Sequence, residues 1–82
     1  MDNIVLEGYM EQWLDKMFDS YEICSIEEVK NDEYLVKTRE SIGGETFEGV
    51  YTVTHYFENE EEKVKICGGG MVLEIYNLGH RA

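Results

Sequence analysis

Between Ile4 and about Tyr21, apolar residues recur as Leu6, Tyr9, Met10, Trp13, Leu14, Met17 and Tyr21. Spacings of three and four predict one amphipathic helix with a single buried stripe. After Tyr21 the period shortens toward two and β-branched and aromatic residues become frequent, which predicts strands. A first strand is expected from Ile23 to Val29, a turn at Asn31-Asp32, and a return from Tyr34 to Arg39. Ser25-x-x-Glu28 also matches a helix capping box, but the turn and the strand after it favour a hairpin. Ser41 to Glu45, with its paired glycines, reads as a loop.

The clearest alternation runs from Phe47 to Phe57, with Tyr51, Val53, His55 and Phe57 on one face and Val50, Thr52, Thr54 and Tyr56 on the other. Such a strand belongs in the middle of a sheet. Glu58 to Glu62 reads as a polar turn, Lys63 to Cys67 as a half-buried strand, Gly68 to Gly70 as a break and Met71 to Tyr76 as a last strand. Asn77 to Ala82 reads as a polar tail. The expected fold class is α+β, one N-terminal amphipathic helix packed on an antiparallel meander of four to five strands. Trp13 and Met17 are expected to meet Tyr51, Val53, Val64, Leu73 and Ile75.

At 82 residues, the chain supports one core and so a single domain, 1–82. Six Tyr, three Phe and one Trp supply enough apolar surface for it. No basic leader and no long apolar run occurs, so neither a secretory signal nor a membrane span is expected, and a cytoplasmic location follows. Cys24 and Cys67, without a tight spacing, read as reduced thiols.

Charge changes the picture more. Seven Lys and Arg against eighteen Asp and Glu leave a formal net charge of -11. Direct binding to nucleic acid or to an anionic membrane is then opposed by Coulomb repulsion, and a basic partner is favoured. The acids are clustered. Glu7, Glu11, Asp15 and Asp19 fall on one stripe of the expected helix, about 6 Å apart along its axis. Glu58, Glu60, Glu61 and Glu62 crowd the turn before Lys63, while Glu27-Glu28 and Asp32-Glu33 flank the first hairpin turn. These eight residues, four on the helix and four at the later turn, are the candidate partner-binding set. The five cations Lys30, Lys37, Arg39, Lys63 and Lys65 fall in strand segments instead, which places the acidity mainly on helix and turns.

Other chemistry finds little support. Cys24, Cys67, His55 and His80 lie in four different segments without zinc-ligand spacing, so no metal is expected. A thiolate nucleophile needs positive surroundings, whereas these thiols have acidic neighbours. The triple glycine leads into a strand rather than a helix and lacks the Lys-Ser or Lys-Thr of a phosphate loop. No cofactor is expected, and the chain reads as no enzyme. A rigid array of carboxylates can nevertheless occupy a Lys- and Arg-lined groove that otherwise holds phosphates, because the guanidinium fork accepts either.

In size, charge and layout, carried by Glu7, Glu11, Asp15, Asp19 and Glu58 to Glu62, the chain resembles the small acidic inhibitors encoded by phages and mobile elements, such as anti-CRISPR proteins and DNA mimics. The resemblance covers the whole chain and transfers no individual functional position. It implies a stoichiometric, non-enzymatic inhibitor in the host cell cytoplasm. Its partner would be a basic nucleic-acid-binding protein or ribonucleoprotein, whose DNA site it covers or whose conformational step it blocks. The alternative is an interaction or structural module that forms a homodimer through an exposed sheet edge, with acidity serving solubility.

Overall fold

The helix α1 (Asn3–Met17) begins where Asp2, in extended conformation, accepts the Ile4 N–H on its side chain at 2.8 Å. That cap satisfies one of the backbone donors a helix start leaves unpaired. The structure, a computed structural model, describes residues 1–80. Leu6, Met10, Trp13 and Leu14 form the buried stripe. The helix stops at Met17, short of the expected Tyr21. Phe18 turns extended and donates its N–H to Leu14 O at 2.9 Å, and Asp19 N–H then donates to Ser41 O at 2.9 Å. From Ser20 the backbone is claimed by the sheet, so strand pairing overrides a helical pattern that continues on paper.

Five strands follow, β1 (Ser20–Lys30), β2 (Glu33–Ile42), β3 (Glu45–Glu58), β4 (Glu61–Gly68) and β5 (Met71–His80). They pair antiparallel in sequence order, with β1 and β5 at the edges. The expected helix on an antiparallel meander is therefore what the chain forms, with five strands. Ser25 to Glu28 is strand, not a capped helix turn. The loops are tighter than the composition suggested. Gly43-Gly44, Asn59-Glu60 and Gly69-Gly70 all have positive φ at both positions, the geometry of two-residue hairpin turns whose twist suits right-handed strands. Consequently Ser41, Ile42 and Glu45, expected in a loop, lie in strands, as do Glu61 and Glu62. The strand β5 also takes in residues 77–80 of the expected tail; Arg81 and Ala82 lie outside the described residues.

One face of the sheet carries Tyr34, Val36, Tyr51, Val53, Val64 and Ile66, buried under the helix stripe. Trp13 meets Tyr51 edge to face with ring centroids 5.1 Å apart, and Phe18 packs on Trp13 at 6.1 Å. Each large aliphatic side chain in this layer stabilises the fold by about 1.5–3 kcal/mol. Two expected core members are displaced: Met17 and Ile75 are each 48% exposed. Met17 is the last helical residue, where the stripe runs off the sheet, and Ile75 faces away from the helix. Leu73 does pack against the core.

Thr38 and Glu40 are buried on the helix-facing side. Glu40 Oε2 accepts hydrogen bonds from Thr38 Oγ1 at 2.7 Å and from the Tyr51 hydroxyl. Burial, reinforced by that bond to Glu40, pushes the Tyr51 hydroxyl well above the ordinary tyrosine range. The cluster sits over Gly49, paired with Thr38 across the β2–β3 ladder.

Candidate protein-binding surface

With Leu6, Met10, Trp13 and Leu14 turned inward, the 3.6-residue period turns Glu7, Glu11 and Asp15 outward, and all three are exposed. They stand one turn apart, about 6 Å along the axis. Among the described residues no Lys, Arg or His lies within 4 Å of these carboxylates. Repulsion between them costs the helix a few tenths of a kcal/mol per pair, and the buried stripe beneath outweighs it. Tyr21 flanks the array from β1 rather than extending the helix. Burial first, then its bond to Asp15 and the charges of Asp15 and Glu11, push the Tyr21 hydroxyl up to about 12.

Asp19 does not belong to this stripe. Because the helix ends at Met17, Asp19 lies in the link to β1, and its carboxylate accepts the Gly43 N–H at 3.0 Å, tying down the β2–β3 turn. The second candidate cluster gathers at the β3–β4 turn but is engaged within the fold. Glu58 accepts from Lys63 Nζ at 3.1 Å and Glu61 from Asn77 at 2.8 Å, while Glu62 meets His55 Nε2 at 2.6 Å. Glu60 is exposed at the turn itself, in the left-handed region with φ 66. The structure thus separates the eight candidates into an outward helical trio, a turn tether and a turn cluster bound up with its own strands.

The cations take the places expected of them. Lys30, Lys37, Arg39, Lys63 and Lys65 are all strand residues. Lys37 and Arg39 alternate with buried Val36, Thr38 and Glu40, and Lys63 and Lys65 with buried Val64 and Ile66, so these four project from the face opposite the helix. The remaining helical cation, Lys16, pairs with Glu74 and lies 5.8 Å from the centre of the Tyr76 ring. The four cations thus lie across the thickness of the domain from the outward helix trio, on a face they share with Glu48 and Glu58.

Two further sites bear on chemistry. A cavity of about 240 Å³ on the far face is lined by Cys24, Lys37, Arg39, Glu48 and Val50 together with Thr38 and Gly49. Desolvation and the bond to Glu22 push the Cys24 thiol upward, against the pull of Arg39. His55, half-buried, lies between Glu62 and Asp32, whose carboxylate is 3.7 Å from Nδ1 and 3.4 Å from the Met1 amine. Among the described residues no three His, Cys, Asp or Glu side chains are grouped to hold a metal ion. Both cysteines are free, and no described helix is long and apolar enough to cross a membrane.

Sequence reasoning missed the position of Tyr21 and the burial of Glu40. Tyr21 fits the helical period, and only its partner Glu40 in the β1–β2 register, 19 positions further along the chain, assigns it to a strand. Glu40 does carry a signal, since it falls in phase with Tyr34, Val36 and Thr38 on alternate positions of β2. No protein-family model, curated protein or solved structure matches this chain.

Proposed function

We propose that this chain is a non-enzymatic protein inhibitor that seats the outward face of α1 in a basic, nucleic-acid-binding groove of an effector complex. The observation that carries the reading is the trio Glu7, Glu11 and Asp15, exposed on a helix held by its buried stripe and, among the described residues, without cationic partners. A carboxylate already in an ion pair must give up its cation to serve a partner; these three need not, though Asp15 shares its carboxylate with the Tyr21 hydroxyl. Their order on a folded element lowers the entropy lost when guanidinium groups close on them. Displacement of the four far-face cations keeps like charge away from an incoming basic surface. Among the original candidates, the helix trio is the binding core, and Glu60 and its turn neighbours are peripheral.

The test is inhibition of target-DNA binding by a guide-RNA-loaded effector nuclease, titrated with the purified chain at low and high salt. Binding weakens steeply with salt, and Glu7→Lys/Glu11→Lys/Asp15→Lys abolishes it with the circular dichroism spectrum retained. Inhibition that survives this triple reversal would refute the assignment of the binding face.

A further inference from the structure

The two sheet edges differ in charge. Along β1, Glu22, Glu27 and Glu28 are exposed beside the unpaired backbone, so a second strand approaching that edge meets carboxylates. Along β5, the one acid is Glu74, and it is paired with Lys16 of the helix. The same strand exposes Met71, Val72 and Ile75 at 62, 52 and 48%. A chain with a net charge of -11 repels its own copies over most of its surface. β5 is where that repulsion is weakest and where apolar side chains and free backbone groups coincide.

Register narrows the arrangement. Shifts in the β4–β5 ladder leave Leu73 and Leu78 as bulged residues and residues 74–77 as the regular run between them. In that run Tyr76 pairs with buried Val64, so Glu74 and Tyr76 lie on the helix side while Ile75 and Asn77 face away. We infer that β5 pairs antiparallel with β5 of a second copy about a two-fold axis at Ile75, joining two sheets edge to edge. In this register Ile75 opposes its own mate and Glu74 opposes the mate's Tyr76. Sliding the pair so that Glu74 meets Glu74 sets like charges directly opposite, and sliding the other way leaves Ile75 opposite Asn77. An isologous contact of this kind closes on itself and does not propagate into fibres.

The short regular run makes the dimer weak, and its salt response runs opposite to that of the acidic face, because salt screens the mutual repulsion of two anionic copies. Sedimentation velocity of the full chain over a concentration series is expected to show a monomer–dimer equilibrium that shifts toward dimer as sodium chloride is raised. Ile75→Lys, which opposes two cations at the axis, raises the dimer dissociation constant by at least about tenfold. Val50→Lys, at a comparably exposed position on the same face of the sheet, leaves it unchanged. Should Ile75→Lys fail to fold, Ile75→Cys in a Cys24→Ser/Cys67→Ser background supplies the second readout. Opposed residues of an antiparallel pair come within about 4.5–5.5 Å at Cα, close enough for a disulfide, so oxidation yields a covalent dimer far faster than Val50→Cys in the same background. A wild-type monomer at every concentration and salt, equal sensitivity to Val50→Lys, or equal cross-linking of the two cysteine variants would overturn the inference. None of these results touches the helix face, so the two readings fail separately.

Discussion

Gly49→Ala tests the packing of the buried polar cluster. A Cβ at Gly49 would lie 2.5 Å from Glu40 Oε2 and 2.7 Å from the Tyr51 ring, and closer still to Thr38 Oγ1. The Tyr51 ring has little room to retreat, since Trp13 stands against it at 5.1 Å. Overpacking of this kind costs about 1–3 kcal/mol. Loosening a buried hydrogen bond to a charged group costs about 1.5–3 kcal/mol more, while replacing glycine in a strand returns roughly 0.5–1 kcal/mol. The net expectation is a loss of about 3 kcal/mol, which for a domain of this size lowers Tm by about 12–24 °C at ~4–8 °C per kcal/mol. Urea and thermal unfolding followed by far-UV circular dichroism measure it. Gly8→Ala is the control, because a Cβ there meets nothing within 4 Å and the site is helical; it should gain about 0.5–1 kcal/mol. A Gly49→Ala loss below about 1 kcal/mol would refute the reasoning that the Thr38–Glu40–Tyr51 cluster is closed to an added methyl group.

Removing the helix cap by Asp2→Ala should cost about 0.5–2 kcal/mol in urea unfolding, since the bond to Ile4 N–H has no substitute in alanine. Glu11→Lys should raise stability by about 0.5–1 kcal/mol, because it turns two repulsive pairs, with Glu7 and Asp15, into attractive ones. The same variant should weaken effector binding, so a stability gain coupled to lost inhibition is the expected outcome in paired unfolding and binding assays. Tyr51 binds its proton more tightly folded than unfolded, so its contribution is fully present below the ordinary tyrosine value and is lost as pH rises above about 10. Urea unfolding across that alkaline range should show a decline that Tyr51→Phe reduces.

The fold was readable where local pattern and tertiary demand agree. The stripe Leu6, Met10, Trp13 and Leu14 has the helical period and is buried at that period, and the alternation from Val50 to Val53 sorts into exposed and buried positions as a strand should. It was unreadable where the choice belongs to distant partners. Met17, Asp19 and Tyr21 continue the helical spacing in sequence, yet the pairing of Ser20 and Tyr21 with Ser41 and Glu40 ends the helix. Turn chemistry was also under-read: Asn59-Glu60 closes a two-residue turn with a glutamate at φ 66, a conformation usually left to glycine or asparagine. For the candidate surface, the outward direction of Glu7, Glu11 and Asp15 follows from the helix period alone. The engagement of Glu58, Glu61 and Glu62 does not, because Lys63, Asn77 and His55 reach them only through hairpins already formed.

Because every strand pairs with its immediate successor, the ladder needs no crossover, and hairpins close over turns of two residues. Chain-closure entropy for such contacts is small, so the sheet can zip from any turn without waiting for remote segments. The helix is the exception: Met1 reaches Asp32 and Tyr34, and Lys16 reaches Glu74, 58 positions away. Docking of the N-terminal segment is accordingly the step that couples both ends of the polypeptide, and it turns four consecutive hairpins into one cooperative unit.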